Sequence, residues 1–384
     1  MKPSVLILVP NYTPSVKSGG PALCMFNLVQ VLGDKIDFRI ITSDRDFGDD
    51  KPLKGVRPGT WTRLGNAQVL YLSPRGIRPL PMFRILASET ADYLYLNSFF
   101  SRGFSMLPIL VRAAGAHAQK RIILAPSGEF SPGALALKPR RKRLYIGLAK
   151  RLPQFREVTW HATTELEAQD IRREFGLSAK VQVALPFTQA SMTLHTREGS
   201  ARTKTPGSLR IIFLSRISPK KNLLEAIRIL RCISGQIVFN IYGNVEDTAY
   251  WHECEVEIRN LPANVSVEFR SMADSAFRVF SEHHIFLFPT LGENYGNVVF
   301  EALSAGCLPL ISDCTPWRGL EGHGAGWDLP LGQPQLFRAA LEKCVTMTNE
   351  QFQIASARAR TYLNQFVSQR DPVAANLAMF RPCP

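Results

Sequence analysis

Apolar positions along the chain come in short continuous runs separated by longer stretches of helical period. Residues 5–9 read as a first strand, and residues 21–32 follow as a helix whose Ala22, Phe26, Leu28, Val29 and Leu32 can pack inward. Residues 38–42, 69–72, 93–96, 122–125, 158–163 and 181–185 are further strands, most of them separated by helix-length segments. Unbroken apolar runs in this alternation predict a parallel sheet covered on both faces. Residues 187–208, polar, rich in Ser, Thr and Gly and without period, predict a linker. Past it the alternation restarts with strands at 209–214, 237–242, 265–269, 284–289 and 308–312 and helices at 223–232, 249–258 and 273–280. Residues 335–346 and 350–366 have helical spacing. The expected architecture is α/β: two tandem Rossmann-like domains, residues 1–188 and 209–365, with a cleft between them. A linker, 189–208, joins them, and a C-terminal helix within 366–384 returns to the first domain.

The loop after the 284–289 strand carries the chemistry. Glu293 lies in it, eight residues before Glu301, which falls in the second turn of a helix that Asn294 or Gly296 caps and Gly306 ends. An ionised carboxylate only accepts hydrogen bonds, so two of them suit a hydroxyl-rich ligand. The N–H groups of Tyr295, Gly296 and Asn297 at the helix start suit an anion. Together they call for a ligand with hydroxyls and phosphate, unless both acids are simply solvated. A second motif follows the 209–214 strand: Ser215-Arg216-Ile217-Ser218-Pro219-Lys220-Lys221-Asn222. Arg216 offers a fork to phosphate oxygens and Lys221 a movable point charge; the alternative is a solvated basic turn. Gly243 at the end of the next strand, and Gly19-Gly20 before the first helix, are places where backbone can approach a ligand or merely turn.

Composition narrows the class. The chain has 384 residues, 45% hydrophobic and 20% charged, which is ordinary for a globular protein of two domains. A net charge of +14 favours polyanionic partners without choosing among them. Seven scattered cysteines without a Cys-x-x-Cys pair predict reduced thiols, no zinc site and a cytoplasmic setting. The amino terminus reads as a strand and not a signal peptide, and no window resembles a membrane-spanning helix.

The segments FLSRISPKKN and GENYGNVVFE, with the Gly-Gly loop, resemble the retaining glycosyltransferases of family 4, whose fold is GT-B. In the first half, DYLYLNSFFS, LAPSGEFSPGALALK and VTWHATTELEAQDI are similar to the lipopolysaccharide and exopolysaccharide branch. The resemblance implies a sugar moved from a nucleotide-diphosphate donor, UDP or GDP, to a glycan or lipid-linked acceptor, with no cofactor and no metal. By the same resemblance Glu293, beside Asn294, Tyr295 and Gly296, receives the donor sugar's hydroxyls, and Glu301 the ribose. Arg216 and Lys221 bind the diphosphate, with Gly20 and Gly243 as close-approach positions. Ser127 stands where many relatives have His or Arg, so Ser127 or Glu129 serves the donor or acceptor side. His161 reads as a packed histidine and His117 as a surface one.

Residues 138–156 hold eight basic side chains and no acid, with Leu144, Tyr145, Leu148, Ala149, Leu152 and Phe155 on one helical face. That face packs on the first sheet or docks on an anionic membrane, giving a peripheral protein on the inner face. Three rivals share some of these features. A nucleic-acid binder explains the charge, but no binding motif accompanies it. A metal-dependent transferase of another fold would use Asp44-Arg45-Asp46 and leave the second domain unexplained. A sugar-nucleotide epimerase or phosphorylase keeps the fold and changes the reaction.

Overall fold

Two sheets of mostly parallel strands account for the alternation. The computed structural model describes residues 2–381 apart from 16, 18, 19, 117, 118, 188–201 and 271–274, so Gly19, His117 and most of the expected linker lie outside the described residues. The chain divides into two compact units, Met1–Met192 with Arg370–Pro384, and Thr193–Gln369.

Unit 1 holds β1 (Ser4–Leu8), β2 (Asp37–Ser43), β3 (Trp61–Leu64), β4 (Ala67–Leu72), β5 (Ala91–Asn97), β6 (Gln119–Ala125), β7 (Thr159–Ala162) and β8 (Lys180–Val183). They run in the order β3-β4-β2-β1-β5-β6-β7-β8, parallel except for β3, which pairs antiparallel with β4 at the edge. Leu6, Leu8, Ile41, Leu94 and Leu96 pack on one face of this sheet and Val5, Ile7, Phe38, Ile40 and Tyr95 on the other. Both faces are therefore buried, as the unbroken apolar runs require. The last described residues complete the second face. Phe380 sits edge-on to Phe38 and Tyr93, and Asn376 Nδ2, on the Pro372–Met379 helix, donates to Leu185 O at 2.8 Å.

Unit 2 holds β9 (Ser208–Leu214), β10 (Gln236–Tyr242), β11 (Val265–Arg270), β12 (Ile285–Phe288), β13 (Leu308–Ser312) and β14 (Trp327–Leu329), all parallel, in the order β11-β10-β9-β12-β13-β14. The order reverses between β9 and β12. Loops leaving the carboxyl ends of those two strands diverge to opposite faces there, which is where open α/β sheets bind ligands.

Two expectations need correction. The expected linker does not extend to residue 208: β9 begins at Ser208, and before it Arg202 and Lys204 are 8% and 3% exposed. Both side chains bond main-chain carbonyls, which is how polar composition came to be buried. The basic stretch buries only part of the face assigned to it: Tyr145, Ala149, Leu152 and Phe155 pack in the core of unit 1, and Leu144 and Leu148 do not. In the Pro139–Ala149 helix Ile146 and Ala149 are buried, whereas Leu144 and Leu148 are 67% and 51% exposed. Tyr145 packs its ring against Phe99, centroids 4.8 Å apart.

Candidate active site

The geometry of unit 2 starts from the two loops at the reversal point. After β9 the chain makes a tight turn, Pro219–Lys221, and Asn222 takes a left-handed conformation (φ 59°) before the Leu223–Leu230 helix. Asn is among the few side chains that tolerate this region. Its Nδ2 donates to Pro289 O at 2.8 Å in the loop after β12. Lys220 O accepts from Leu291 N at 2.9 Å and from Thr290 Oγ1 at 3.2 Å. A third loop, after β13, joins them: Ser312 Oγ donates to Thr290 O at 2.6 Å, and Glu293 N to Cys314 O at 3.1 Å. Three strand ends are thereby stitched into one platform.

On that platform Lys221 Nζ forms a direct ion pair with Glu293 Oε1, their side chains only 14% and 12% exposed. The ammonium also lies 5.6 Å from the centre of the Phe288 ring, a cation–π distance. Lys221 and Glu293 are thus brought together as a mostly covered pair, held from below by an aromatic face. Arg216 is placed differently. It is half exposed and pairs with Glu246 Oε1 at 3.0 Å, on the loop after β10.

Glu301 sits in the Asn297–Ser304 helix, and burial pushes its carboxyl up to about 7. Gly296 precedes this helix at φ 78°, with Trp317 Nε1 only 3.2 Å from where a Cβ would stand. Trp317 Nε1 donates to Tyr295 O at 2.6 Å, and the Tyr295 ring is buried beside Trp317 and Phe300. Tyr295 therefore serves the loop as a core residue through its ring, and Asn294 stands half-buried before it. Gly243 has φ 150°, and a Cβ there would lie 1.8 Å from Ser215 O, so this glycine lets β10 pass under the Arg216 loop.

In unit 1, Gly20 is the first residue of the Gly20–Leu32 helix. Ser98 and Ser127, at the ends of neighbouring β5 and β6, both adopt positive φ, 75° and 54°. Glu129 spans them: it accepts from Ser98 Oγ at 2.6 Å and Phe100 N at 3.0 Å, and burial raises its carboxyl. Glu167, 3% exposed, accepts from Gly128 N at 2.6 Å and Thr163 N at 2.7 Å and pins the Ser127 turn. His161 is packed: Nε2 donates to Ala184 O at 3.0 Å, so Nδ1 accepts from the Tyr95 hydroxyl at 2.7 Å. Burial lowers its pKa to about 4, which keeps it neutral. Asp46 accepts from Ser15 Oγ at 2.5 Å and Phe47 N at 2.7 Å, while Asp44, 1% exposed, lies 3.4 Å from Arg45 Nε. Among the described residues no group of three or more His, Cys, Asp or Glu side chains is arranged to hold a metal ion.

Sequence reasoning did not single out Thr290, Ser312, Asn222, Phe288 or Glu246. Only Asn222, an Asn closing a Ser-Pro-Lys-Lys turn, carried a local signal. A recess of about 480 Å³ between the Pro334–Thr346 and Asn349–Ser368 helices, lined by Trp327, Lys343 and Arg358, lies at the amino ends of β13 and β14, away from this platform.

Comparison with known proteins bears on both units. The family model described as glycosyl transferases group 1 matches residues 198–360. No curated protein sequence matches the chain. Among solved structures, HepE of Anabaena, in complex with UDP and glucose, is similar over 98% of this chain and 98% of that one, with TM-score 0.71 and 15% identity. WaaG, a glycosyltransferase involved in lipopolysaccharide biosynthesis, is similar over 97% and 99%, with TM-score 0.66 and 13% identity. Sucrose-phosphate synthase from Thermosynechococcus elongatus is similar over 99% and 97%, with TM-score 0.66 and 14% identity. These likenesses show the fold, which is GT-B.

Proposed function

We propose that the protein is a retaining glycosyltransferase of family 4 that moves a sugar from a nucleoside-diphosphate donor to a glycan or lipid-linked acceptor in cell-surface polysaccharide or lipopolysaccharide synthesis. The observation that carries this reading is the covered Lys221–Glu293 pair at the β9/β12 reversal point, with Glu301 on the helix that follows. The group 1 match over 198–360 and the UDP in the HepE structure support a UDP donor, with GDP as the alternative.

The residues divide the work by charge. Donor binding turns the Lys221 ammonium from Glu293 toward the diphosphate, and Arg216 exchanges Glu246 for a phosphate oxygen. Glu293, released from Lys221, accepts from hydroxyls of the transferred sugar, and the backbone of Asn294, Tyr295 and Gly296 lies alongside. Glu301 accepts from the ribose hydroxyls, and Gly243 keeps the Arg216 loop close. As the bond between the anomeric carbon and the phosphate oxygen breaks, negative charge grows on the leaving diphosphate. The two cations stabilise it where little reorganisation is needed. The acceptor oxygen attacks from the face the diphosphate leaves, its proton passes to a phosphate oxygen, and the anomeric configuration is kept. No metal and no cofactor enters this scheme. Gly20, Ser127 and Glu129 of unit 1 are the candidates for the remaining donor and acceptor contacts. Glu129 would act by holding the Ser98 and Ser127 turns, since its carboxylate is already engaged.

Release of nucleoside diphosphate from a panel of nucleotide sugars, with and without EDTA, tests the reading. Turnover of one donor unaffected by EDTA, yielding a product of unchanged anomeric configuration, is expected. Conversion of a donor without any acceptor would point to an epimerase instead.

A peripheral setting on the inner face of a membrane rests on the Pro139–Ala149 helix. Leu144 and Leu148 stand exposed one turn apart, with Leu137 (47% exposed) just before the helix. Arg140, Arg141, Arg143 and Arg151 surround them, all exposed. Exposed leucines ringed by cations suit an anionic lipid surface, at about 1 kcal/mol per basic residue. Among the described residues no helix is long and apolar enough to cross a membrane.

A further inference from the structure

Arg202 is a buried cation that forms no ion pair among the described residues. Its Nη1 donates to Phe280 O at 3.3 Å, Ser281 O at 3.0 Å and Ala305 O at 3.1 Å, and its Nη2 donates to Gly306 O. Those four carbonyls are the carboxyl ends of two helices, Ala276–Ser281 and Asn297–Ser304. The guanidinium also lies 5.1 Å from the centre of the Phe352 ring. Its neighbours along the chain are held just as firmly. Gln353 Nε2 donates to Arg202 O at 2.7 Å, His284 Nε2 donates to Thr203 O at 3.1 Å, and Lys204 N donates to Asn349 Oδ1 at 3.0 Å.

We infer that Arg202 is a positioning residue for the donor site, setting the Asn297–Ser304 helix from its carboxyl end so that its amino end and Glu301 meet the nucleotide. This rests on the donor site proposed above. The helix has eight residues, roughly 12 Å at 1.5 Å each, so the Arg202 guanidinium and the proposed anion site stand at the two ends of one short rigid rod. A cation at the carboxyl end offsets the negative pole of the helix and leaves the positive pole facing the diphosphate. Fixing four carbonyls of two adjacent helices also fixes where that rod starts. Lys204 supplies an internal comparison. Its Nζ donates to Thr205 O at 2.9 Å, Val345 O at 3.0 Å and Met347 O at 3.3 Å, so it closes the Pro334–Thr346 helix, which carries no residue assigned to the donor.

The test is calorimetric titration of the full chain with UDP, alongside thermal melting, for the wild type, Arg202→Gln, Arg202→Lys and Lys204→Gln. Wild type is expected to bind UDP. Arg202→Gln should raise Kd about tenfold and Arg202→Lys, which keeps charge but fewer donors, about threefold, within the range expected for a buried helix-end cation. Lys204→Gln should lower Tm yet hold Kd within about twofold, because the helix it closes is not the one that meets the nucleotide. If wild type binds neither UDP nor, in the same titration, GDP, the donor reading falls and this inference with it; if it binds GDP alone, the same comparison is read with GDP. If wild type binds and Arg202→Gln lowers Tm with Kd unchanged, Arg202 is only structural and the inference is overturned. An equal rise in Kd for Lys204→Gln overturns it too. Should Arg202→Gln not fold, Arg202→Lys decides by the same comparison.

Discussion

Lys221 and Glu293 sit 72 residues apart in sequence and share one mostly covered position, so removing either strands the other's charge. Lys221→Ala and Glu293→Ala should each lower kcat by about 10² to 10³, the usual cost of losing one preorganised charge partner in such a site. Circular dichroism should show both folded; turnover near wild type in either would remove the residue from the mechanism. Glu301 makes a pH prediction. Its carboxyl is raised from 4.5 to about 7 by burial, so between those values the folded state holds a proton that the unfolded state has released. Stability therefore falls as pH rises through that window, by up to about 3 kcal/mol for such a shift. Glu301→Gln should melt at higher temperature than wild type above pH 7 and at a similar temperature near pH 4.5. Because only the ionised carboxylate accepts from two hydroxyls, donor affinity in the wild type should rise with pH through about 7 and stay flat in Glu301→Gln. At this scale the residue types were legible from the sequence, because acids and bases beside strand-ending turns stand out. Their pairings were not. Which cation meets which acid depends on strand order, and nothing local to Arg216 points to Glu246, 30 residues on.

Strands such as β1, β9 and β12 were readable because burial on both faces leaves unbroken apolar runs. β3 escaped notice for the opposite reason: it is an edge strand of four residues, none of them buried. β14 has three residues, too few for any period to show. The helix at 139–149 misled differently. Helical spacing identified its apolar residues, but spacing alone could not say that Tyr145 would turn to Phe99 while Leu144 and Leu148 faced outward. Gly243 read as a turn or a ligand contact, and the structure supplies a packing reason in the Ser215 carbonyl beneath it. Gly243→Ala should destabilise the protein by more than about 2 kcal/mol, because the obstacle is backbone that cannot rotate away. A denaturant midpoint equal to wild type would contradict that packing.

Each unit is a mostly parallel sheet covered on both faces, which followed from alternation; the strand orders that put a reversal point in each did not. What alternation also could not supply was the burial of Arg202 and Lys204, where polar composition suggested a linker. The excess of positive charge, +14 overall, belongs to this scale too, since it concerns the surface and not the fold. Sedimentation with anionic liposomes at low salt should fall by at least half when Arg140, Arg141 and Arg143 are reversed to Glu, or when Leu144 and Leu148 become Ser. An unchanged bound fraction would leave the 139–149 helix an ordinary solvated surface. The donor platform itself is tested most directly by titrating UDP-glucose and GDP-mannose into wild type and into folded Lys221→Ala. Saturable binding of one donor by the wild type, weakened at least tenfold in Lys221→Ala, is the result predicted; equal binding by both proteins, or none by the wild type, would contradict it.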